Sequence, residues 1–292
     1  MLAIITNGIK RERTQMSSYE NYTSTSNSYD QTREPVGKEI IIDCLSNSPK
    51  PLNEMVVLDA GCGTGSYSSV VLDHVKKIEA VELNLGMINK AKEKLHVAEL
   101  EGKIDFHHAS IDKMPFDNES IDAIMVNQVL HHLPQDFPQD FSKLKEVIKE
   151  FFRVLKPGGV LVIHTCSNQQ LREGYWFSEL IPNAYDLMCD KYIKIDKLSD
   201  ILENNGFTSK APISKTLGYQ GKSYFEADGP LKPSWRAGDS VWSLATEDEL
   251  ELAIAKVEGL INSGDIEDYI KDHDRIRPSI GQILFLQAIK AE

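Results

Sequence analysis

The chain has 292 residues, of which 41% are hydrophobic and 26% are charged, and its formal net charge at pH 7 is −12. No apolar run approaches the roughly 20 residues of a membrane-spanning helix, and the acidic balance disfavours a nucleic-acid substrate because a negative surface repels phosphates. The four cysteines are scattered without CxxC spacing, which predicts reduced thiols in a cytoplasmic protein rather than disulfides or a zinc site.

Residues 1–28 are rich in Ser, Thr, Asn and Gln, a composition typical of a disordered tail. The folded domain is therefore predicted over residues 29–292. Its first helix is predicted to begin at Pro35, where the missing amide proton costs nothing, and to run through Leu45.

Between residues 55 and 165, short β-like runs alternate with longer helical patterns. Strands are predicted at Val56–Leu58, Ile78–Val81, Ile104–Phe106, Ile121–Val126 and Val160–Ile163. Helical patterns lie at roughly 66–76, 86–100 and 141–155. Lys156-Pro157-Gly158-Gly159 is predicted to end the third helix and to turn the chain into the fifth strand. Strands separated by helices pair in parallel through right-handed crossovers, which predicts a doubly wound α/β sheet.

The pattern is less regular after residue 165, and we divide it into insertions over 166–245 and closing helices with a last strand over 246–292. The predicted elements are helices at 175–190 and 196–205, a β-like stretch from Phe207 to Leu217, a helix from about Thr246 to Ile261 and a final strand from Ile283 to Ile289. Thr246 and Glu249 have the spacing of a capping box, which predicts the start of the long helix.

A glycine-rich loop follows the first predicted strand. Asp59 ends the strand, and Gly61, Gly63 and Gly65 lead into the next helix. Glycines let a backbone turn sharply and approach a ligand closely, and ligands of open α/β sheets lie beyond the carboxyl ends of the strands. Asp59 would repel a phosphate, and a dinucleotide loop would have glycine where this chain has Ser66. The loop therefore favours a ligand that carries positive charge.

The DxGxGxG spacing resembles motif I of the class I S-adenosylmethionine (SAM)-dependent methyltransferases. SAM carries a sulfonium and an α-ammonium but no phosphate. The resemblance implies a Rossmann-like, seven-stranded, mostly parallel sheet with strand seven antiparallel. It also implies that residues 55–165 bind SAM, that residues 1–35 and the insertions form a lid, and that the acceptor is a small molecule.

Glu82 ends the second predicted strand, where a carboxylate can accept hydrogen bonds from both ribose hydroxyls of a nucleoside. NAD enzymes use the same device, so Glu82 indicates a nucleoside and leaves its identity open. The alternative is a solvated acid before a turn. The family resemblance places Leu83 and Met87 against the adenine.

Residues 108–116 resemble the family segment G-D-A-x-x-L-P-F after strand three. The match is good at Met114-Pro115-Phe116, but Ser110 stands where relatives have an acid that accepts a bond from the adenine amino group. The Ser110 hydroxyl and the Ile111 amide are predicted to serve the adenine instead.

Two later segments and one upstream segment extend the resemblance. Residues 121–133 resemble the fourth strand and its exit, which implies that Asn127 lies near the methionine part of SAM, and residues 152–159 resemble the approach to strand five. Tyr22 and the segment from Tyr29 to Gly37 resemble a Tyr-Asp-x-x-Arg lead-in that closes over the cofactor. Arg33 is then a partner for the SAM carboxylate; a surface arginine that caps a helix is the alternative.

The histidine pairs are not expected to bind a metal ion. His131 and His132 are predicted to point in different directions, and His107 and His108 to alternate across a strand. His131 is a candidate general base, although a packing or capping role explains it better.

Residues 175–242 hold all three tryptophans and are rich in aromatic residues. The segment is predicted to be either a wall over the acceptor or the core of an appended helical region; its aromatic residues include Trp176, Phe177, Tyr185, Tyr219, Tyr224, Phe225, Trp235 and Trp242. Four arginines offer either an acidic-acceptor site or surface ion pairs: Arg172, Arg236, Arg275 and Arg277.

The sequence thus predicts an enzyme that transfers the SAM methyl group to a nucleophilic O, N, S or C of a small-molecule acceptor by in-line displacement. Such a reaction depends on positioning and needs no dedicated base. We expect a monomer or homodimer with no nucleic-acid, membrane or metal partner. The alternatives are a nicotinamide-dependent oxidoreductase, a SAM-binding module without transferase activity and a protein methyltransferase.

Overall fold

Eight strands form one sheet in the computed structural model, which describes residues 35–215 and 221–291. They are β1 Val56–Ala60, β2 Lys77–Glu82, β3 Ile104–His108, β4 Ile121–Asn127, β5 Leu155–Thr165, β6 Phe207–Ser209, β7 Ile213–Lys215 and β8 Ile283–Lys290. The order is β3-β2-β1-β4-β5-β8-β6, with β7 also paired to β8. Strands β1 to β5 pair in parallel, and β8 is antiparallel to β5, β6 and β7. The prediction of a doubly wound, mostly parallel sheet is confirmed.

The described sheet has eight strands rather than the predicted seven because one predicted β stretch is divided. Phe207 pairs with Lys290 and Ile213 pairs with Phe285, so both pieces lie along β8. The residues between them include Pro212, which has no amide proton to donate to the ladder. Residues 216–217, which the prediction also included, lie outside the described residues.

Helices cover both faces of the sheet. They are α1 Lys38–Leu45, α2 Ser66–Val71, α3 Leu85–Lys94, α4 His96–Leu100, α5 Ser142–Val154, α6 Asn168–Glu173, α7 Pro182–Lys191, α8 Ile195–Asn204, α9 Pro233–Arg236, α10 Glu247–Ser263, α11 Ile266–His273 and α12 Arg277–Ile280. Strand β4 shows how the two apolar layers form, because Ala123 and Met125 pack into one layer while Ile124 and Val126 pack into the other.

Several predicted helix bounds were wrong. Helix α1 begins at Lys38 rather than at Pro35, after Gly37 in a left-handed conformation with φ 76°. Helix α2 ends at Val71 and continues as a short 3-10 turn, and the predicted helix at 86–100 is two helices that meet at Leu95. Helix α6 was missed, although Ser167 and Gln170 form a capping box at its start.

The long helix α10 confirms half of its predicted capping box. The Thr246 hydroxyl accepts the amide proton of Glu249 at 3.2 Å. The Glu249 side chain does not return to the start of its own helix; its Oε1 accepts the Asn183 amide proton at 2.7 Å. Glu249 therefore joins α10 to the first turn of α7.

The Lys156-Pro157-Gly158-Gly159 segment lies within the bounds of β5 rather than in a separate turn. Its pairing with β4 is irregular between Ile121 and Ala123, and Gly158 has a φ of 73°. The segment is therefore a bulge at the start of a strand, which corrects the prediction of a turn.

Candidate active site

The loop between β1 and α2 is held in left-handed backbone conformations at its three glycines. Gly61, Gly63 and Gly65 have φ values of 81°, 55° and 77°, a region that residues with a Cβ rarely adopt. The amides of Gly61 and Cys62 both donate to the Val81 carbonyl, at 2.8 and 2.9 Å, which ties the loop to β2. A Cβ at Gly61 would clash with Val129, whereas a Cβ at Gly63 would meet nothing within 4 Å. Gly63 therefore faces open space.

Asp59 lies at the carboxyl end of β1 and is almost completely buried. The Ser68 hydroxyl donates to its Oδ2 at 2.6 Å. Burial raises the pKa of Asp59 from its ordinary 3.8 to about 7, and the nearby Glu82 charge adds to the increase although the Ser68 bond opposes it. A cation bound beside this carboxyl would favour its ionised form.

Glu82 ends β2 and is half-buried beside the glycine loop. Its Oε2 accepts the Gly63 amide proton at 3.0 Å, and its Oε1 accepts the Asn84 amide proton at 2.8 Å. Each carboxylate oxygen can accept a second hydrogen bond. Glu82 therefore fixes the loop and keeps acceptor capacity for a ligand.

The four residues predicted to contact adenine are placed differently from one another. Leu83 is 65% exposed at the end of β2, whereas Met87 is buried in α3. The Ser110 hydroxyl bonds to the Asp112 carboxylate, and the Ile111 side chain is buried in an apolar layer. None of the four lines the cavity that lies at the carboxyl ends of β1 and β4.

Asn127 and Gln128 lie where β4 ends. Asn127 is 9% exposed, and neither its Oδ1 nor its Nδ2 has a hydrogen-bond partner among the described residues. Gln128 has a φ of 56°, which is uncommon for a residue with a side chain. Its Nε2 contacts the Cys166 Sγ at 3.4 Å, and its Oε1 accepts the Tyr192 hydroxyl at 2.9 Å. The sequence analysis missed Gln128.

A cavity of about 130 Å³, partly open to solvent, extends across the carboxyl ends of β1 and β4. We call the part lined by Asp59, Gly61, Cys62, Gly63 and Thr64 the loop end. We call the part lined by Tyr175, Tyr185, Met188, Tyr192 and Asp239 the aromatic end. Asn127 and Gln128 also line the cavity.

His131 also lines the cavity and is 8% exposed. Its ring stacks on the Tyr192 ring with centroids 4.3 Å apart, and its Nε2 lies 3.4 Å from the Tyr192 hydroxyl. The His131 and His132 rings touch, with centroids 3.9 Å apart, so the prediction that they point apart was wrong. Within the described ranges, no group of three or more His, Cys, Asp or Glu side chains is placed to hold a metal ion.

The aromatic residues of the insertions are mostly core. Trp176 and Phe177 are fully buried, and Trp176 Nε1 donates to the Tyr224 carbonyl at 2.7 Å. Trp235 and Trp242 pack edge-on beside them, with ring centroids 5.9 Å apart. Of the aromatic residues named in the prediction, only Tyr185 is placed in the cavity wall; Phe225 is exposed and Tyr219 lies outside the described residues. Tyr175, Met188, Tyr192 and Asp239 were missed because no motif marks them.

The four arginines do not line the cavity. Arg172 pairs with Asp186 and Arg277 pairs with Asp274. Arg236 donates to the Pro230 carbonyl at 2.6 Å, and Arg275 is exposed. The structure therefore places these side chains in local pairs or at the surface.

The chain enters the domain beside the cavity. Pro35 lines the cavity, and the Tyr67 hydroxyl donates toward the Val36 carbonyl at 3.3 Å. The same hydroxyl lies 3.2 Å from Nδ1 of His164, whose pKa is lowered by burial to about 3. Tyr22, Tyr29 and Arg33, the predicted lid residues, lie outside the described residues. In the part of the chain that is described, no helix is long and apolar enough to span a membrane.

The parallel sheet and the glycine loop at its ligand-binding edge define a Rossmann-like α/β protein. Residues 58–163 match the family model described as methyltransferase domain. The ubiquinone/menaquinone biosynthesis C-methyltransferase UbiE of Bartonella quintana is 27% identical over 162 residues, which cover 54% of this chain and 56% of that protein. The chain thus matches about half the length of this curated relative.

Two solved structures show the same fold. A putative methyltransferase from an antibiotic biosynthesis pathway of Anabaena variabilis has a TM-score of 0.66 at 19% identity, covering 88% of this chain and 98% of that chain. Geranyl diphosphate C-methyltransferase of Streptomyces coelicolor, in complex with Mg²⁺, geranyl-S-thiolodiphosphate and S-adenosyl-L-homocysteine, has a TM-score of 0.53 at 15% identity, covering 87% and 75%. Residues 58–163 are therefore similar to a methyltransferase domain, and the chain has the fold of these solved methyltransferases.

Proposed function

We propose that the protein transfers the methyl group of SAM to a small-molecule acceptor and releases S-adenosylhomocysteine. The observation that carries the proposal is a glycine loop, within the residues that match a methyltransferase domain, at one end of a cavity whose other end is lined by aromatic residues. When bound, SAM would supply a methyl group activated by its sulfonium, and the leaving group would be the neutral thioether of S-adenosylhomocysteine.

The residues at the loop end fit this cofactor. Gly63 leaves room that a Cβ would occupy, and Asp59 offers a carboxyl whose ionised form a cation favours. Asn127 has an unsatisfied side-chain amide, as a binding residue for the methionine part requires. We assign SAM binding to these residues and to the others that the family resemblance indicates: Tyr22, Tyr29, Arg33, Gly61, Gly65, Glu82, Leu83, Met87, Ser110 and Ile111.

The task of the chain is then positioning rather than activation. Glu82 holds the loop in place through Gly63, and Gln128 fixes Tyr192 beside the end of β4. Holding two reacting groups in line can lower a barrier by about 7–11 kcal/mol. His131 is within reach of Tyr192 but is not needed as a base for this chemistry. A cytoplasmic enzyme, monomeric or homodimeric and acting on small molecules, remains our prediction.

Two alternative functions make different predictions. A nicotinamide oxidoreductase would bind a dinucleotide, whose phosphates Asp59 and Glu82 disfavour by charge. A SAM-binding module without transferase activity would bind SAM but leave it unconverted. Calorimetric titration with SAM, S-adenosylhomocysteine and NADH separates the first alternative, because we expect only the first two to bind. Release of S-adenosylhomocysteine during incubation with SAM and a metabolite mixture would distinguish an active methyltransferase from a SAM-binding module without transferase activity.

A further inference from the structure

The aromatic end of the cavity carries negative charge. Asp239 precedes the 3-10 helix Ser240–Leu244, which packs on α7. Its carboxylate is close enough to raise the pKa of Tyr185 and of Cys166, in addition to the larger effect of burial. Among the described residues that line the cavity there is no Lys or Arg. An anionic acceptor would therefore be repelled, and a cationic one attracted.

The same end presents aromatic faces and unsatisfied polar groups. The rings of Tyr175 and Tyr185 lie 6.2 Å apart between centroids, and aromatic faces attract cations. The Tyr185 hydroxyl and the Gln282 Nε2 are buried in the cavity wall, and neither has a hydrogen-bond partner in the described ranges. Both groups can donate a hydrogen bond, so an oxygen acceptor on the ligand would satisfy them.

The charge of the reacting nucleophile separates the possible acceptors. Phenols, thiols and carbon acids attack most readily as anions, and no Lys or Arg in the described part of the cavity wall is placed to stabilise an anion. A neutral amine is different, because its lone pair forms the N–C bond while the S–C bond breaks and that electron pair goes to sulfur. One positive charge then moves from sulfur to nitrogen, beside carboxylates and aromatic rings throughout the reaction. The proton that the ammonium form must lose before attack passes to solvent.

We propose that the methyl acceptor is an amine that also carries a hydroxyl or carbonyl oxygen, and that Asp239 selects it by charge. The Asp239 carboxylate binds the amine end, and Tyr185 with Gln282 binds the oxygen. This inference rests on the proposed methyltransferase function and names its substrate class.

Asp239 allows a conservative test. Its Oδ1 accepts the Val241 amide proton at 3.2 Å and so caps the short helix. Asn keeps this cap and the shape of the side chain but removes the charge. Asp140 provides a matched control, because its Oδ1 accepts the Ser142 amide proton at 3.0 Å at the start of α5 and it does not line the cavity.

The probes share a hydroxyphenyl group and differ only at the other end: tyramine is a cation, 4-(2-hydroxyethyl)phenol is neutral and 3-(4-hydroxyphenyl)propionate is an anion. Each is titrated calorimetrically into the protein saturated with S-adenosylhomocysteine. We expect tyramine to bind best and the propionate worst. Asp239→Asn should weaken tyramine binding by about tenfold and leave the neutral probe unchanged. Asp140→Asn should change neither.

The outcomes separate this inference from the proposed function. Failure of S-adenosylhomocysteine to bind the wild-type protein would count against the methyltransferase proposal itself. If that ligand binds but the three probes show no order by charge, or no binding at millimolar concentrations, the amine proposal is wrong. Equal weakening of all probes by Asp239→Asn would also overturn it, because a structural defect rather than charge would then explain the effect. Equal weakening of all three by Tyr185→Phe supports its assigned bond to oxygen.

Discussion

The two ends of the cavity are built by different means. The loop end consists of the backbone of a short loop, with positive φ at Gly61 and Gly63, and of Asp59 near the end of β1. The aromatic end consists of side chains that come from segments far apart in the chain, from Tyr175 to Asp239. On our proposal the cofactor is held mainly by a short backbone loop, whereas the acceptor is recognised by side chains from several segments. Changes at the loop end should therefore affect SAM binding, and changes at the aromatic end should affect the acceptor.

The largest effect is expected for Gly63→Val. The backbone at Gly63 has a φ of 55°, and the new side chain would project into the open cleft. SAM affinity should fall by at least about 100-fold, measured by calorimetry. Gly102→Val is the matched control, because Gly102 also has a positive φ of 69° with open space around it but does not line the cavity. A similar loss of SAM affinity in both variants would contradict the assignment.

Glu82→Ala should have the second largest effect. It removes the acceptor that fixes the Gly63 amide and the predicted partner of the ribose hydroxyls. The loss of charge-assisted hydrogen bonds should weaken SAM and S-adenosylhomocysteine by roughly 10–100-fold. Glu101→Ala, at an exposed residue after α4, should leave both affinities unchanged. Unchanged affinity in Glu82→Ala would place the ribose elsewhere.

The raised pKa of Asp59 should make the stability of the protein depend on pH. Because its folded pKa of about 7 lies above the ordinary value of 3.8, its contribution to stability is fully present below that ordinary value and is lost as the pH rises through 7. Asp59→Asn keeps an acceptor for Ser68 without the charge. Its free energy of unfolding above neutral pH should exceed that of the wild type by roughly 1–3 kcal/mol, whereas its SAM affinity should fall. Denaturant titrations across this pH range provide the measurement, and an unchanged pH dependence would disprove the role.

The smallest effect is expected at the aromatic end itself. Tyr185→Phe removes a buried hydroxyl that has no partner in the described chain, so the free protein should become more stable by about 0.5–1 kcal/mol. Tyr224→Phe is the contrasting variant, because the Tyr224 hydroxyl donates to Asp274 at 2.7 Å. Its loss should destabilise by about 1–2 kcal/mol. Urea unfolding of both variants would show opposite signs, and destabilisation of equal size in both would refute the distinction.

The loop end of the cavity could be predicted from the sequence, whereas the aromatic end could not. The five parallel strands and the glycine loop were predicted because apolar runs and glycine spacing are local signals. The division of one predicted stretch into β6 and β7, the bounds of α1 and the role of Glu249 were not predicted; the last depends on a tertiary contact, the bond from Asn183 to Glu249. Asp239 and Gln282 were not predicted, because nothing near either residue in the sequence indicates that β8 and the insertions bring them to one cavity.

Gln128 joins the two ends through its backbone and its side chain. Asn127 precedes it at the cofactor side, and the Gln128 amide group contacts Tyr192 and Cys166 on the other side. The left-handed backbone at Gln128 is a costly conformation, and it turns the chain between the two contacts. In the reaction that we propose, this one residue would therefore set the spacing between Asn127 and Tyr192, and with it the distance between methyl donor and acceptor.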